Sequence, residues 1–180
     1  MLRTVLLKKT QSLNLFSELF ASYTYVKLPI DYLKKAKVYF FYHSAELVGG
    51  YAIITSPPFR FLQLIPKHIQ ASTPFLLNNS LENMYEINGL FVINKKFLFE
   101  IIKSLLVKIL TLKQNYLLLF HNANNQKINN TWHKNLNPHK IYQGKPNTEN
   151  NNLTSHENIF FGYVERKSIE CFLNKIIALP

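Results

Sequence analysis

The sequence predicts an α/β protein in which a central mixed β-sheet is flanked by helices. Val38–Tyr42 and Leu47–Thr55 are apolar runs joined by the four-residue turn "HSAE", which is the pattern of a β-hairpin. Met84–Ile93 is apolar almost throughout, as buried strands are. It is followed by a helical pattern over Lys96–Leu112 and a second buried strand, "NYLLLFH". Strands joined through a helix run parallel and hairpin strands run antiparallel, so the sheet is expected to be mixed.

The ends of the chain complete this single predicted domain of residues 1–180. Residues 1–35 are predicted to hold two helices, because "TQSLNLFSELFAS" has one apolar helical face and Pro29 suits a helix start. The segment after Pro57 and Pro58, "FRFLQL", is expected to be extended. Residues 145–157 are polar and without periodicity, which predicts a mobile loop before a last strand, "IFFGYVE", and a C-terminal helix.

Charge and composition narrow the function classes. The formal charge is +11, from 21 Lys and Arg against 10 Asp and Glu. This favours an anionic partner such as a nucleotide cofactor, nucleic acid or a membrane surface. A genome rich in AT codons would also explain the abundance of lysine. No basic run exceeds two residues, so nucleic acid is the less favoured partner.

Other features argue against a secreted, membrane-spanning or metal-binding protein. No window of about 18 uncharged apolar residues occurs, so no membrane span is expected. No signal segment is recognised, and a cytoplasmic location is expected. Cys171 is the only cysteine, and the six histidines show no HxH or HxxxH spacing. No disulfide framework and no metal site are therefore expected.

Two strings resemble the GNAT family of acyltransferases. "YEINGLFV" is similar to that family's fourth strand, and "NQKINNTWHKNLNPHKIYQG" is similar to its last shared helix and strand. The order of elements over residues 36–165 matches as well. The resemblance implies an acyl-CoA N-acyltransferase fold, with acetyl-CoA or another acyl-CoA as a substrate and an unidentified amine as acceptor.

The resemblance also implies a place for the acyl-CoA. In the family the fourth and fifth strands separate, the pantetheine arm pairs with strand backbone in the gap, and the pyrophosphate binds at the next helix start. The residues expected to bind the cofactor are Leu90, Phe91, Val92, Asn94, Lys95, Lys96, Phe97, Asn122, Asn125 and Trp132. The family's glycine-rich corner is missing from "INKKF". Lys95 and Lys96 either replace it by charge or are solvated surface lysines.

Three residues are the catalytic candidates under this resemblance. Glu86 on the fourth strand is expected to be the general base, unless it lies at an exposed strand end. His121 ends the next strand and is the second candidate, or an ordinary hydrogen-bonded histidine. Trp132 stands where the family often has a tyrosine acid and is expected to be a packing residue, so the neighbouring His133 or Tyr142 could act instead, and Tyr142 is the third candidate. Asn125 could equally cap the short helix.

Two functions follow as hypotheses. The first is transfer of an acetyl or longer acyl group from acyl-CoA to an amine by direct attack. The alternative is a non-catalytic module of the same fold that binds a protein or nucleic-acid partner. A basic RNA-binding domain is a weaker third hypothesis, because the aromatics lie in apolar runs such as "VYFFY" that are typical of a core.

Overall fold

The structure, a computed structural model, describes residues 2–124, 126–147 and 158–178, and only the backbone of residues 127–129. Seven strands and eight helices lie within these residues. The strands are β1 Leu2–Leu7, β2 Lys37–His43, β3 Glu46–Ile54, β4 Met84–Val92, β5 Tyr116–Asn122, β6 His139–Gly144 and β7 Ile159–Glu165. The helices are α1 Thr10–Thr24, α2 Ile30–Lys34, α3 Arg60–Gln63, α4 Lys67–Ser72, α5 Pro74–Asn78, α6 Leu98–Leu110, α7 Gln126–Leu136 and α8 Arg166–Ile177.

The strands form a seven-stranded mixed sheet in the order β1-β2-β3-β4-β5-β7-β6. β1, β2 and β3 pair antiparallel, β4 and β5 pair parallel, and β7 pairs antiparallel with both β5 and β6. The predicted fold class is confirmed. The chain divides into two compact units. The first unit contains the residues up to Ile54 and Ile87–Ile109, and the second contains Thr55–Glu86 and the residues from Leu110 onward.

In the first unit, helices cover both faces of the strands. Successive residues of a strand point to opposite faces. A side chain at Gly50 would meet the ring of Phe16 on α1, and one at Gly49 would meet Ile101 on α6. Phe16 is fully buried, with its ring centroid 5.5 Å from that of Phe91 on β4. Gly50 and Gly49 therefore let α1 and α6 pack directly against β3.

Gly89 introduces an irregularity into β4. Its φ of +68° lies in the left-handed region, which side chains strongly disfavour. A Cβ there would also lie 2.7 Å from a ring carbon of Phe16. Glycine is therefore required at this position both by the backbone conformation and by the packing of α1.

The second unit is built on β5, β7 and β6 with aromatic packing. His121 on β5 and Gln143 on β6 both lie opposite Phe160 of β7 in the two ladders. The rings of Phe75 and Tyr163 stack with centroids 3.7 Å apart. These ladders fix the positions of the polar residues on β5 and β6 that were predicted to be functional.

Two predictions about the elements differ from the structure, and a third is not tested by it. The first 35 residues begin with β1, which pairs with β2, ahead of the two predicted helices. "FRFLQL" is helical over Arg60–Gln63 instead of extended, although Phe59 before it is extended. Most of the predicted mobile loop, residues 148–157, lies outside the described residues. Within the described part of the chain, none of the helices has the length and apolar character needed to cross a membrane.

Candidate functional site

β4 and β5 form a parallel ladder at their starts. It pairs Met84, Tyr85 and Glu86 with the first three residues of β5, Tyr116–Leu118. β4 continues as a strand for the six residues Ile87–Val92. The expectation that these two strands are adjacent and parallel is confirmed. Of the predicted cofactor residues on β4, Phe91 is buried and packs on α1, whereas Leu90 and Val92 are half-buried.

Asn94 forms two hydrogen bonds at the corner after β4, where the GNAT family commonly has glycines. The Asn94 Oδ1 accepts the N–H of Lys96 at 3.1 Å, and the Asn94 carbonyl accepts the N–H of Phe97 at 3.0 Å. A single turn of 3-10 helix at Lys95–Phe97 then leads into α6. The Lys96 N–H, one of those that a phosphate could use at a helix start, is thus already occupied. Lys95 and Lys96 are exposed, and their ammonium groups supply the positive charge of this corner.

Glu86 is fully buried, so it does not lie at an exposed strand end. One carboxylate oxygen accepts the backbone N–H of Arg60 at 2.9 Å, and the other accepts that of Phe61 at 2.9 Å. These are the first N–H groups of α3, which have no partner within the helix. A buried carboxylate needs such donors because it only accepts hydrogen bonds. Glu86 therefore fixes the start of α3.

His121 is buried and its ring has two different nitrogen environments. Nδ1 lies 3.2 Å from the backbone carbonyl of Asn122, an arrangement in which Nδ1–H donates and Nε2 keeps its lone pair. Nε2 is buried with no hydrogen-bond partner among the described residues. Burial lowers the pKa of His121, and the nearby His133 lowers it further, against the opposing effect of the Asn122 carbonyl. The ring is therefore neutral at neutral pH.

The other predicted site residues of the second unit are Tyr142, Asn122 and Trp132. The Tyr142 hydroxyl donates to the backbone carbonyl of Lys145 at 2.9 Å. Asn122 is exposed, and its Oδ1 accepts the N–H of Asn124 at 2.8 Å. Trp132 is half-buried on α7. Asn125 lies outside the described residues.

The predicted residues thus fall into two groups. Those from Leu90 to Phe97 belong to the first unit, and Glu86, His121, Asn122, Trp132 and Tyr142 belong to the second. The described hydrogen bonds of Glu86, His121 and Tyr142 go to different backbone groups. The sequence did not reveal that Glu86 accepts hydrogen bonds from the N–H groups of α3, because backbone donors leave no pattern in a sequence. Across the described ranges, no group of three or more His, Cys, Asp or Glu side chains could hold a metal ion.

Comparison with solved structures identifies the fold. The chain superposes on FeeM, an N-acyl amino acid synthase from uncultured soil microbes, with a TM-score of 0.64 at 10% identity, covering 100% of this chain and 99% of that one. An N-acetyltransferase from Staphylococcus aureus gives a TM-score of 0.57 at 13% identity, with coverages of 92% and 99%. The chain has the GNAT acyltransferase fold.

A third GNAT structure, a Bacillus subtilis acetyltransferase in complex with CoA, gives a TM-score of 0.53 at 13% identity, with coverages of 92% and 99%. No family model matches the sequence, and no curated protein is significantly similar to it in sequence. At these identities the structural likeness establishes the GNAT fold alone. The activity has to be argued from the residues of this chain.

Proposed function

We propose that the protein is an acyl-CoA-dependent N-acyltransferase that moves an acyl group from a CoA thioester to an amine. The observation that carries the proposal is the parallel ladder at the start of β4 and β5, Met84–Glu86 with Tyr116–Leu118, after which β4 continues as a strand to Val92. In the proposal, the amides of an extended arm such as pantetheine pair with the backbone of β4 beyond this ladder, as in other cases of strand addition. The CoA in the Bacillus subtilis acetyltransferase supports this class of donor.

The diphosphate of the donor would lie at the corner after β4. Asn94 occupies the Lys96 N–H, so binding there relies on the ammonium groups of Lys95 and Lys96 more than on backbone amides. A lysine binds phosphate as a flexible point charge, which suits a corner without glycine. The interaction is exposed and should therefore weaken with added salt.

The reaction would be a direct attack on the thioester. The nitrogen–carbon bond forms, the carbon–sulfur bond breaks, and the amine gives up one proton to a base. Of the three catalytic candidates, the geometry supports His121 best, because its neutral ring keeps a lone pair on Nε2. Both oxygens of Glu86 are held by N–H groups, so we propose a positioning role for Glu86. Tyr142 lies opposite Phe161 and His121 lies opposite Phe160, so their side chains point to opposite faces of the strands, and the thiolate would take its proton from solvent rather than from Tyr142.

A second candidate function is a non-catalytic module of the same fold that binds a protein or nucleic-acid partner. Two observations favour it. The corner after β4 contains no glycine, and the Asn94 side chain accepts the N–H of Lys96 there. Both carboxylate oxygens of Glu86 accept N–H groups of α3. Both features are expected of a member of the fold that does not catalyse a reaction.

Thermal stability in the presence of acetyl-CoA and of decanoyl-CoA separates the two functions. A ligand at 100 times its dissociation constant stabilises the folded protein by about 2.7 kcal/mol. The double variant Lys95→Glu, Lys96→Glu should abolish the stabilisation. Lys8→Glu, Lys9→Glu is a matched control, since it also reverses two exposed lysines directly before a helix. A stabilisation that both variants retain would remove the corner from the proposal.

Catalysis is tested by release of CoA thiol with a panel of amines. His121→Gln should lower kcat while leaving the thermal stabilisation by acyl-CoA intact. If acyl-CoA binds and no amine increases thiol release, the non-catalytic function is the better one. If no CoA ester binds, the transferase proposal fails.

A further inference from the structure

The second unit contains a cleft of about 530 Å³ that none of the catalytic roles proposed above uses. It lies among α7, β6 and β7, and its volume is within the range of about 300–1,000 Å³ that is typical of small-molecule sites. Its principal lining side chains are Asn130, His133, Lys140, Gln143 and Phe160.

Every charged or polar side chain that lines this cleft includes a hydrogen-bond donor. Lys140 supplies an ammonium group, and the amides of Asn130 and Gln143 and the imidazole of His133 supply N–H donors. No aspartate or glutamate is among the described residues that line the cleft. Such a set favours a carboxylate, which only accepts hydrogen bonds, over a cationic ligand, which would face the Lys140 ammonium group without a lining carboxylate to pair with.

An apolar wall faces these donors. Phe160 is buried and lies opposite Gln143 in the β6–β7 ladder, so the wall and one donor are fixed by the same pair of residues. Behind it, the ring of His121 stacks on Phe160 at 4.8 Å and meets His133 edge-on at 5.8 Å. The wall is therefore an aromatic ring packed from behind, which suits the apolar part of a ligand.

His121 lies behind this wall and does not itself line the cleft. It is more than nine-tenths buried, and its Nε2 has no partner in the described part of the chain. Because Nδ1 faces the Asn122 carbonyl, Nε2 is an acceptor and would not bind a carboxylate. The contribution of His121 to the cleft is its packing against Phe160 and His133.

We propose that this cleft binds a small carboxylic acid, with the carboxylate on Lys140 and the neighbouring donors and the apolar part against Phe160. The proposal concerns binding at a site within the second unit. It holds whether or not the chain transfers acyl groups, because it uses none of the residues assigned to the thioester donor.

The experiment uses the full chain and three probes that differ only in their polar group: 3-phenylpropionate, 3-phenylpropanamide and 3-phenylpropylamine. Trp132 is the single tryptophan and lies next to His133 on α7, so its fluorescence reports on the cleft. Calorimetry provides a readout that does not depend on Trp132. We expect saturable binding of the carboxylate, binding of the amide at least about fivefold weaker, and the weakest binding for the amine.

Lys140→Gln should reduce carboxylate affinity to that of the amide, and Lys140→Arg should retain the preference. Lys134→Gln is the matched control: it removes the same charge from an exposed lysine of α7 that does not line the cleft. Absence of carboxylate binding by calorimetry up to about 10 mM would overturn the proposal. Equal binding of the three probes, or an equal effect of Lys134→Gln and Lys140→Gln, would overturn it as well.

Discussion

Replacing Glu86 by glutamine tests whether this side chain holds the fold. The structure shows it fully buried, with each carboxylate oxygen accepting one N–H at 2.9 Å. Glutamine keeps one acceptor and turns an N–H₂ group toward the other N–H. A hydrogen bond to a charged group contributes about 1.5–3 kcal/mol, and a buried donor left without a partner costs about 1–3 kcal/mol. These effects overlap, so we expect Glu86→Gln to lower the free energy of unfolding by about 3 kcal/mol.

The assay is urea unfolding, followed by far-UV circular dichroism at fixed pH. Glu82→Gln is the control, because Glu82 is exposed and lies just ahead of β4. Its effect should stay within about 0.5 kcal/mol. The unfolding midpoint of Glu86→Gln should fall with little change in slope. A loss of less than about 1 kcal/mol would refute the positioning role, since a single charged hydrogen bond already exceeds that value.

Three further predictions concern stability. Gly89→Ala should destabilise the fold by about 2 kcal/mol or more in urea unfolding, because φ is +68° and the new Cβ would lie 2.7 Å from a core ring carbon; an effect below about 0.5 kcal/mol would contradict this. Arg166→Ala should cost about 2 kcal/mol, because its guanidinium donates to the carbonyls of Leu110 and Leu112; a stability unchanged in urea would contradict this. His121 has its pKa lowered in the folded state, so the unfolded chain binds more protons below about pH 6.5. Stability should therefore fall more steeply between pH 7 and pH 5 in the wild type than in His121→Phe, and parallel pH profiles would contradict this.

Periodicity and turn signals predicted the hairpin, β4, α6 and β5, because each of these elements is long and strongly patterned. β1 was missed because it is an edge strand with polar residues such as Arg3 and Thr4 on its exposed positions, so its apolar run is short. α3 was missed because its four residues are too few to show a period. Its start is set by Glu86, which is 25 residues away from Phe61 and becomes its neighbour only in the fold.

Only part of the candidate site could be predicted, because several of its contacts join residues that are far apart in the sequence. The position of Lys95 and Lys96 at the start of a helix follows from local sequence. The hydrogen bond from the Lys96 N–H to Asn94 does not follow from local sequence. An asparagine before a helix is equally compatible with backbone N–H groups that are left free to bind a ligand. The cleft around Lys140 could not be predicted, because its lining combines residues of α7, β6 and β7 that are separated in the chain.

Hydrogen–deuterium exchange with saturating decanoyl-CoA tests the central claim most directly, because it reports on the backbone of β4 beyond its ladder with β5. The account predicts slower exchange in peptides covering Ile87–Val92 and the following corner, and loss of the corner protection alone in Lys95→Glu, Lys96→Glu. Unchanged exchange across Ile87–Val92 at saturating ligand would contradict the claim that an acyl-CoA arm pairs with this strand.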